Sequence, residues 1–245
     1  MIPKVIHYCW FGRNPLPKLA HKCIESWRKY LPDYEIREWN EDNFDVNIIP
    51  YTEQAYKAGK YAFVSDYARF WIVYKYGGVY FDTDVEVLKP MQEIIDRGAF
   101  LGCENYIYKT GDRLNVAPGL GLACEAGDPL FGELMQMYHS RDFALRDGDV
   151  FATIVKMTSD LLYSKGLQSV NEVQHVQGVT IYPADYFAPR QTIDQNIPFT
   201  SNSYSMHHYA NSWMPLSQRL YYWIRDLFPL SWARKIAALK HRLKK

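Results

Sequence analysis

The chain has 245 residues, a formal net charge of +1, 48% hydrophobic residues and 16% aromatic residues. That length suits one substantial α/β domain, and a charge so near zero excludes the broad positive field of a nucleic-acid-binding protein. No apolar run is long enough to span a bilayer.

Met1-Ile2-Pro3-Lys4 leads straight into a strand over residues 5–11, without the features of a secretory leader. Gly12-Arg13-Asn14-Pro15 is the turn after it. A helix over 19–31 carries Cys23, Trp27 and Tyr30 near one face, and Pro32 stops it. Residues 34–39 alternate Tyr, Ile and Trp with polar side chains, as a strand does. A helix over 61–76 has an aromatic face and closes at Gly77-Gly78. A short strand over 79–81 then runs into Asp82.

Downstream, the pattern predicts an extended piece at 85–88, a short helix ending at Asp96, a strand at 100–103, helices at 129–139 and 149–165, and a strand at 179–182. Residues 183–206, rich in Pro, Asn, Gln and Ser, read as irregular loop. Alternating strands and helices argue for an α/β fold, an open sheet with helices on both faces. Such sheets bind ligands at the carboxyl ends of their strands. The Trp10-Phe11-Gly12 turn and Asp82 with Asp84 both fall at such ends, so they are candidates for one site.

Four cysteines (Cys9, Cys23, Cys103 and Cys124) show neither a C-x-x-C pair nor a histidine at zinc spacing. They read as reduced, mostly buried thiols, and the expected location is the cytoplasm. From residue 216 onward, Arg219, Arg225, Arg234, Lys235, Lys240, Arg242, Lys244 and Lys245 face a single acid, Asp226. Trp232, Ile236, Leu239 and Leu243 form an apolar stripe among them. Two readings fit: a helix lying on the anionic inner face of the cell membrane, or one docked on the catalytic domain with a solvated basic face.

Asp82 and Asp84, separated by one residue at a strand end, would project to the same side. Two carboxylates that close repel each other. A hard divalent cation such as Mg²⁺ or Mn²⁺ resolves the conflict and in turn binds diphosphates. Asp66 and Arg69 lie one helical turn apart, placed either for a plain ion pair or for a shared ligand. Trp10 offers a face for a base or belongs to the core. Asn115 to Gly121 is Gly-rich without a phosphate-loop pattern; it either admits an acceptor sugar or is a surface loop.

Four segments, in order, resemble glycosyltransferase family 32: Ile2-Pro3-Lys4-Val5-Ile6-His7-Tyr8-Cys9-Trp10-Phe11-Gly12, Ser65-Asp66-Tyr67-Ala68-Arg69, Gly77-Gly78-Val79-Tyr80-Phe81-Asp82-Thr83-Asp84, and His207-His208-Tyr209-Ala210-Asn211-Ser212-Trp213. The family includes bacterial capsule and lipopolysaccharide sugar transferases and fungal Golgi mannosyltransferases. The resemblance spans roughly residues 2–213. It implies a GT-A fold, Rossmann-like with a mixed, mainly parallel sheet, over residues 1–215, ahead of basic amphipathic helices over 216–245. It also implies a nucleotide-sugar donor, a divalent cation (Mn²⁺, or Mg²⁺) and retention of anomeric configuration.

By that resemblance Asp84 would ligate the cation, and Asp82 would reach the ribose or the cation through water. Asp66 would bind donor-sugar hydroxyls, and Arg69 the sugar or a phosphate. Trp10 would stack on the base, in a pocket that Ile6 and His7 would line unless His7 is a satisfied core histidine. His208, preferred over His207 because His208-x-x-x-Ser212-Trp213 matches the family's closing pattern, would be a further metal ligand. Ser212 and Trp213 would close over the diphosphate.

The implied activity is metal-dependent transfer of a hexose to a glycan or lipid-linked oligosaccharide in bacterial surface-polysaccharide synthesis. A UDP-sugar is favoured over a GDP-sugar because Trp10 matches the uracil-stacking position of the related clostridial glucosylating toxins. The alternatives are transfer to a protein, and a non-catalytic module that binds nucleotide-sugar or membrane.

Overall fold

The computed structural model describes residues 1–143, 154–191 and 196–210. Ser212, Trp213 and the expected helices of 216–245 lie outside the described residues.

The chain opens with β1 (Val5–Cys9) and α1 (Lys18–Tyr30), followed by β2 (Glu35–Trp39) and α2 (Pro50–Lys57). Next come α3 (Tyr61–Tyr76), β3 (Gly78–Tyr80), β4 (Val85–Val87), α4 (Gln92–Asp96) and β5 (Phe100–Gly102). A 3₁₀ turn (Pro118–Leu120) precedes β6 (Leu122–Cys124), α5 (Pro129–Gln136) and α6 (Ile154–Ser164). β7 (Gln174–Val176), β8 (Val179–Tyr182), β9 (Arg190–Gln191), β10 (Asn196–Ile197) and β11 (Ser205–His207) complete the order.

Seven strands form one mixed sheet in the order β2-β1-β3-β6-β5-β8-β7. β1 runs parallel to both β2 and β3, and β5 parallel to β8, while β6 and β7 run antiparallel to their neighbours. The expected mainly parallel sheet is therefore present, with two short antiparallel strands added. Separate small ladders join β9 to β10 and β4 to β11.

Apolar side chains of α2, α3, α5 and α6 build one core on the sheet, and α1 with α4 builds a second. α1 buries Ala20, Cys23, Ile24 and Trp27, and the Trp27 indole N–H donates to the Val85 carbonyl at 2.7 Å. That hydrogen bond ties α1 to the strand leaving the acidic turn. Truncating so large a buried side chain costs about 3–5 kcal/mol. All four cysteines are buried free thiols, as expected.

α3 buries Val64, Tyr67, Ala68, Arg69, Phe70, Ile72 and Val73, a broad surface that fits a helix covered on several sides. Gly77 caps it with φ 65°, and its N–H donates to Val73 O. Gly78 has φ 102°, and a Cβ there would lie 2.8 Å from Val5 O and 3.0 Å from His7 Nε2. The glycine pair thus lets α3 turn tightly into β3 over the His7 ring.

Candidate active site

The first strand places Trp10 and Phe11 just past its carboxyl end, and the turn after β3 brings Asp82 into the wall of the same cavity. Asp82 and Asp84 sit on a turn after β3 rather than on the strand itself, closed by Val85 N–H donating to Asp82 O at 3.0 Å. Their convergence therefore comes from turn geometry, not from strand alternation.

Each acid is held by its own partners. Asp82 accepts from Tyr80 Oη at 3.0 Å through Oδ1 and from Arg69 Nη1 at 3.4 Å through Oδ2. Gly119 packs so close that a Cβ would lie 2.3 Å from Asp82 Oδ2. Asp84 is wrapped by residues 207–210. His207 Nε2 lies 3.2 Å from its Oδ1, the Ala210 N–H donates to its Oδ2 at 2.8 Å, and the His208 N–H donates to its backbone carbonyl at 2.9 Å. Burial alone would raise the Asp84 carboxyl, but the His207 ring and the backbone amides outweigh it and hold the group at about 2. Asp84 is thus a carboxylate throughout the physiological range.

Tyr209 makes this wrap possible. Its φ of 49° is left-handed, which is uncommon for a bulky residue, and it turns the chain so that the next amide faces Asp84. Its ring packs edge-on against His207 with centroids 4.3 Å apart, and the Arg190 guanidinium stacks 3.9 Å over its face. The Tyr209 N–H donates to His207 Nδ1 at 3.1 Å. A backbone amide can only donate, so this contact leaves the ring proton on Nε2, facing Asp84.

One atom each from Asp82, Asp84 and His207 lies within 4.8 Å of the others. Two carboxylates and an imidazole are a chemically apt donor set for Mn²⁺ or Mg²⁺, so the residues fit a divalent cation. Coordination through His207 would require its Nε2 proton to move and the Tyr209 amide contact to be given up.

His208, expected at this place, is not there. Its Nε2 lies 2.7 Å from Glu86 Oε2, which Lys22 Nζ also reaches at 2.7 Å. Neighbouring residues at a strand end point to opposite sides, so one of the two histidines must turn away from the acids. Pairing of β11 with β4 sets His207 opposite Val85, inside the site.

Asp66 and Arg69 do form the i,i+3 ion pair, at 2.9 Å. The same guanidinium reaches Asp82 and donates from Nε to Ser65 O at 3.2 Å. Arg69 is 4% exposed, so its charge is spent largely inside the protein, holding two acids in place. Burial pushes the Asp66 carboxyl up to about 7, with Arg69 opposing and Asp82 adding to the rise.

Trp10 is a wall of a cavity of about 540 Å³, shared with Tyr61, Ser65, Arg69, Asp82, Asp84 and His207. Its indole N–H donates to Asn14 O at 2.6 Å, which fixes the ring plane. A volume of that order accommodates a nucleotide-sized ligand. Ile6 and His7 do not line this cavity. Both are fully buried, because β1 lies between β2 and β3 and places them in the sheet interior. His7 Nδ1 accepts from Trp39 Nε1 at 3.0 Å, so Nε2 carries the proton and donates to Gly77 O at 3.0 Å. His7 is the satisfied core histidine of the two sequence readings.

Several participants had little sequence signal. Tyr80 stands two residues before Asp82 and so shares its side of the chain. The Ala210 amide and the His207 side chain depend on β11, whose first two residues fall in the stretch read as loop. Asn115 to Gly121 is neither phosphate loop nor surface loop: its Pro118–Leu120 turn is packed beneath Asp82, and the Asp82 N–H lies 3.4 Å from Gly119 O.

The model of the glycosyltransferase sugar-binding region containing the DXD motif matches residues 17–101. The chain contains a glycosyltransferase sugar-binding region. It is 25% identical over 223 residues to an uncharacterized glycosyltransferase, L373, of Acanthamoeba polyphaga mimivirus, covering 88% of this chain and 85% of that one. It is 29% identical over 111 residues to inositol phosphoceramide mannosyltransferase 1 of Schizosaccharomyces pombe, a match spanning 41% of this chain and 33% of that protein's length. Among solved structures, the PaToxG glycosyltransferase superposes with a TM-score of 0.51 at 18% identity, covering 67% of this chain and 70% of that one. That likeness is one of fold, the GT-A architecture. Together the matches support the family 32 type inferred from the four segments. No helix among the described residues is long and apolar enough to cross a membrane.

Proposed function

We propose that this glycosyltransferase moves a hexose, with retention of configuration, from a nucleoside-diphosphate sugar to a glycan or lipid-linked acceptor, in a cation-dependent reaction. The observation that carries the reading is the junction of one ligand-sized cavity with a three-residue cation cradle: Trp10 at one end, and Asp82, Asp84 and His207 at the other. When bound there, a divalent cation supplies Lewis-acid neutralisation of the charge left on the departing diphosphate.

The chain's own residues do the rest. Trp10, its plane fixed by Asn14, offers a flat face for a base, and a UDP-sugar is the first donor to test, with a GDP-sugar as the alternative. Arg69 holds Asp66 and Asp82 in register, so that the sugar meets a preformed set of acceptor oxygens rather than mobile side chains. The inositol phosphoceramide mannosyltransferase among the relatives makes mannose a hexose to include and favours a lipid-borne acceptor. The basic, amphipathic sequence over 216–245 suits an anionic lipid surface, as the inner face of a bacterial membrane assembling surface polysaccharide would provide.

The test is a panel of UDP- and GDP-hexoses, each with Mn²⁺, Mg²⁺ or chelator, scored by nucleotide release and by thermal stabilisation of the protein. The expected result is cation-dependent release from one donor at a rate above the others. If no donor gives a cation-dependent response in either readout, the reading is wrong.

A further inference from the structure

A second cavity, of about 500 Å³, shares Ala62, Arg69, Asp82 and His207 with the first. Its remaining wall contains a carboxylate that neither the cation cradle nor the Arg69 network uses. This is Glu104, just past β5, where the chain pairs at the bridge between Cys103 and Val116. Its backbone is pinned on both sides: the Glu104 N–H donates to Asn115 O at 2.8 Å, and Glu104 O accepts from Arg190 Nη2 at 3.4 Å. The Asn115 side chain hydrogen-bonds the carboxyl. Burial holds that carboxyl above the usual carboxylate range, with the charges of Arg190 and His207 opposing the rise. A carboxyl in a cavity wall has lone pairs to offer a ligand's hydroxyl, and a cavity of this size admits a sugar.

The geometry points to Glu104 as the residue that binds and orients the attacking hydroxyl of the acceptor, with the second cavity as the acceptor's seat. Leu114, Ala117, Leu120 and Ile154 give its lining an apolar part that suits the flat C–H face of a sugar ring, beside the charged Asp66, Arg113, Lys156 and Asp160. A carboxyl oxygen in the cavity wall accepts a hydrogen bond from a hydroxyl and leaves that hydroxyl oxygen's lone pair free. In the transfer the bond from the anomeric carbon to the diphosphate oxygen breaks, its electron pair leaving with the diphosphate. The acceptor oxygen forms the new bond to that carbon, and its proton passes to the diphosphate. Glu104 keeps no proton; it fixes where the hydroxyl stands. This inference rests on the function proposed above.

Water in the same seat gives slow donor hydrolysis, so the experiment needs no knowledge of the natural acceptor. The donor selected by the nucleotide-sugar panel is hydrolysed by the wild type, Glu104→Ala and Glu104→Met, with thermal melting of each. Loss of hydroxyl positioning lowers kcat for hydrolysis by at least about tenfold while the donor KM stays within about twofold. An unchanged kcat in both variants overturns the assignment, and so does a donor KM that rises in step with the fall in kcat. If Glu104→Ala does not fold, Glu104→Met, which fills similar space without an oxygen acceptor, is judged by the same criterion. If the wild type releases nucleotide from no donor, the proposed function itself fails and this assignment with it; release by the wild type with no effect of either variant sinks Glu104 alone.

Discussion

Arg69 Nη2 lies 2.9 Å from Asp66 Oδ1 and 3.3 Å from Asp82 Oδ1, so one buried guanidinium from α3 sets the position of an acid on its own helix and of an acid on the neighbouring turn. The sequence suggested either an ion pair or a ligand clamp at Asp66 and Arg69. The structure shows the ion pair extended by one more member.

Removing that charge leaves two neighbouring carboxylates half-buried and uncompensated. Arg69→Met should destabilise the fold by about 3–5 kcal/mol, measured by urea denaturation. Arg69→Lys keeps the charge but cannot reach both acids as a planar fork, so it should lose a smaller part of the stability. A stability change below about 1 kcal/mol in Arg69→Met would contradict this placement.

His7 makes stability depend on pH in a defined window. Desolvation lowers its pKa to about 4, against 6.5 in the unfolded chain. The folded value is the depressed one, so the unfolded state binds more protons between pH 6.5 and 4. Stability from this residue is complete above pH 6.5 and falls as pH drops towards 4, by about 3 kcal/mol in all. His7→Gln can still donate to Gly77 O and accept from Trp39, and it should flatten the pH dependence in that window. Parallel curves for the two proteins between pH 4 and 6.5 would refute the assignment.

Gly119 tests the packing beneath Asp82. A methyl group at 2.3 Å from Asp82 Oδ2 cannot be accommodated without moving that carboxylate. Gly119→Ala should weaken Mn²⁺ binding about 10- to 100-fold, the usual effect of disturbing a ligand's supports, while leaving most of the secondary structure intact by circular dichroism. Unaltered Mn²⁺ affinity would mean that Asp82 is not held where the structure places it.

The long elements were legible because their signals are local. The aromatic periodicity of α3, its Gly77-Gly78 stop and the Asp82-x-Asp84 pair all lie within one stretch of chain. The strands β6 and β11 were not legible, since β6 lies where no element is read, β11 begins in the stretch read as loop, and their pairing is fixed by distant partners. That gap explains why the spacing pointed to His208 while the structure sets the His207 ring beside the two acids. Without β11, nothing in His207-His208 says which ring faces inward, and the spacing to Ser212 and Trp213 favoured the other one. His7 is a similar case: a strand histidine reads alike as ligand or core until Trp39 and Gly77 are seen to occupy both ring nitrogens. Glu104 gave no motif because its neighbour Asn115 is eleven residues away and meets it only across a bridge.

The central claim is that the cation cradle is built from Asp82, Asp84 and His207, with His208 outside it. Calorimetric titration of Mn²⁺, in the presence of the donor nucleotide diphosphate, into the wild type, Asp84→Asn, His207→Gln and His208→Gln tests it most directly. Wild type and His208→Gln should bind with affinities within about threefold of each other, His207→Gln at least about tenfold more weakly, and Asp84→Asn not measurably. Retained affinity in His207→Gln together with loss in His208→Gln would contradict the account.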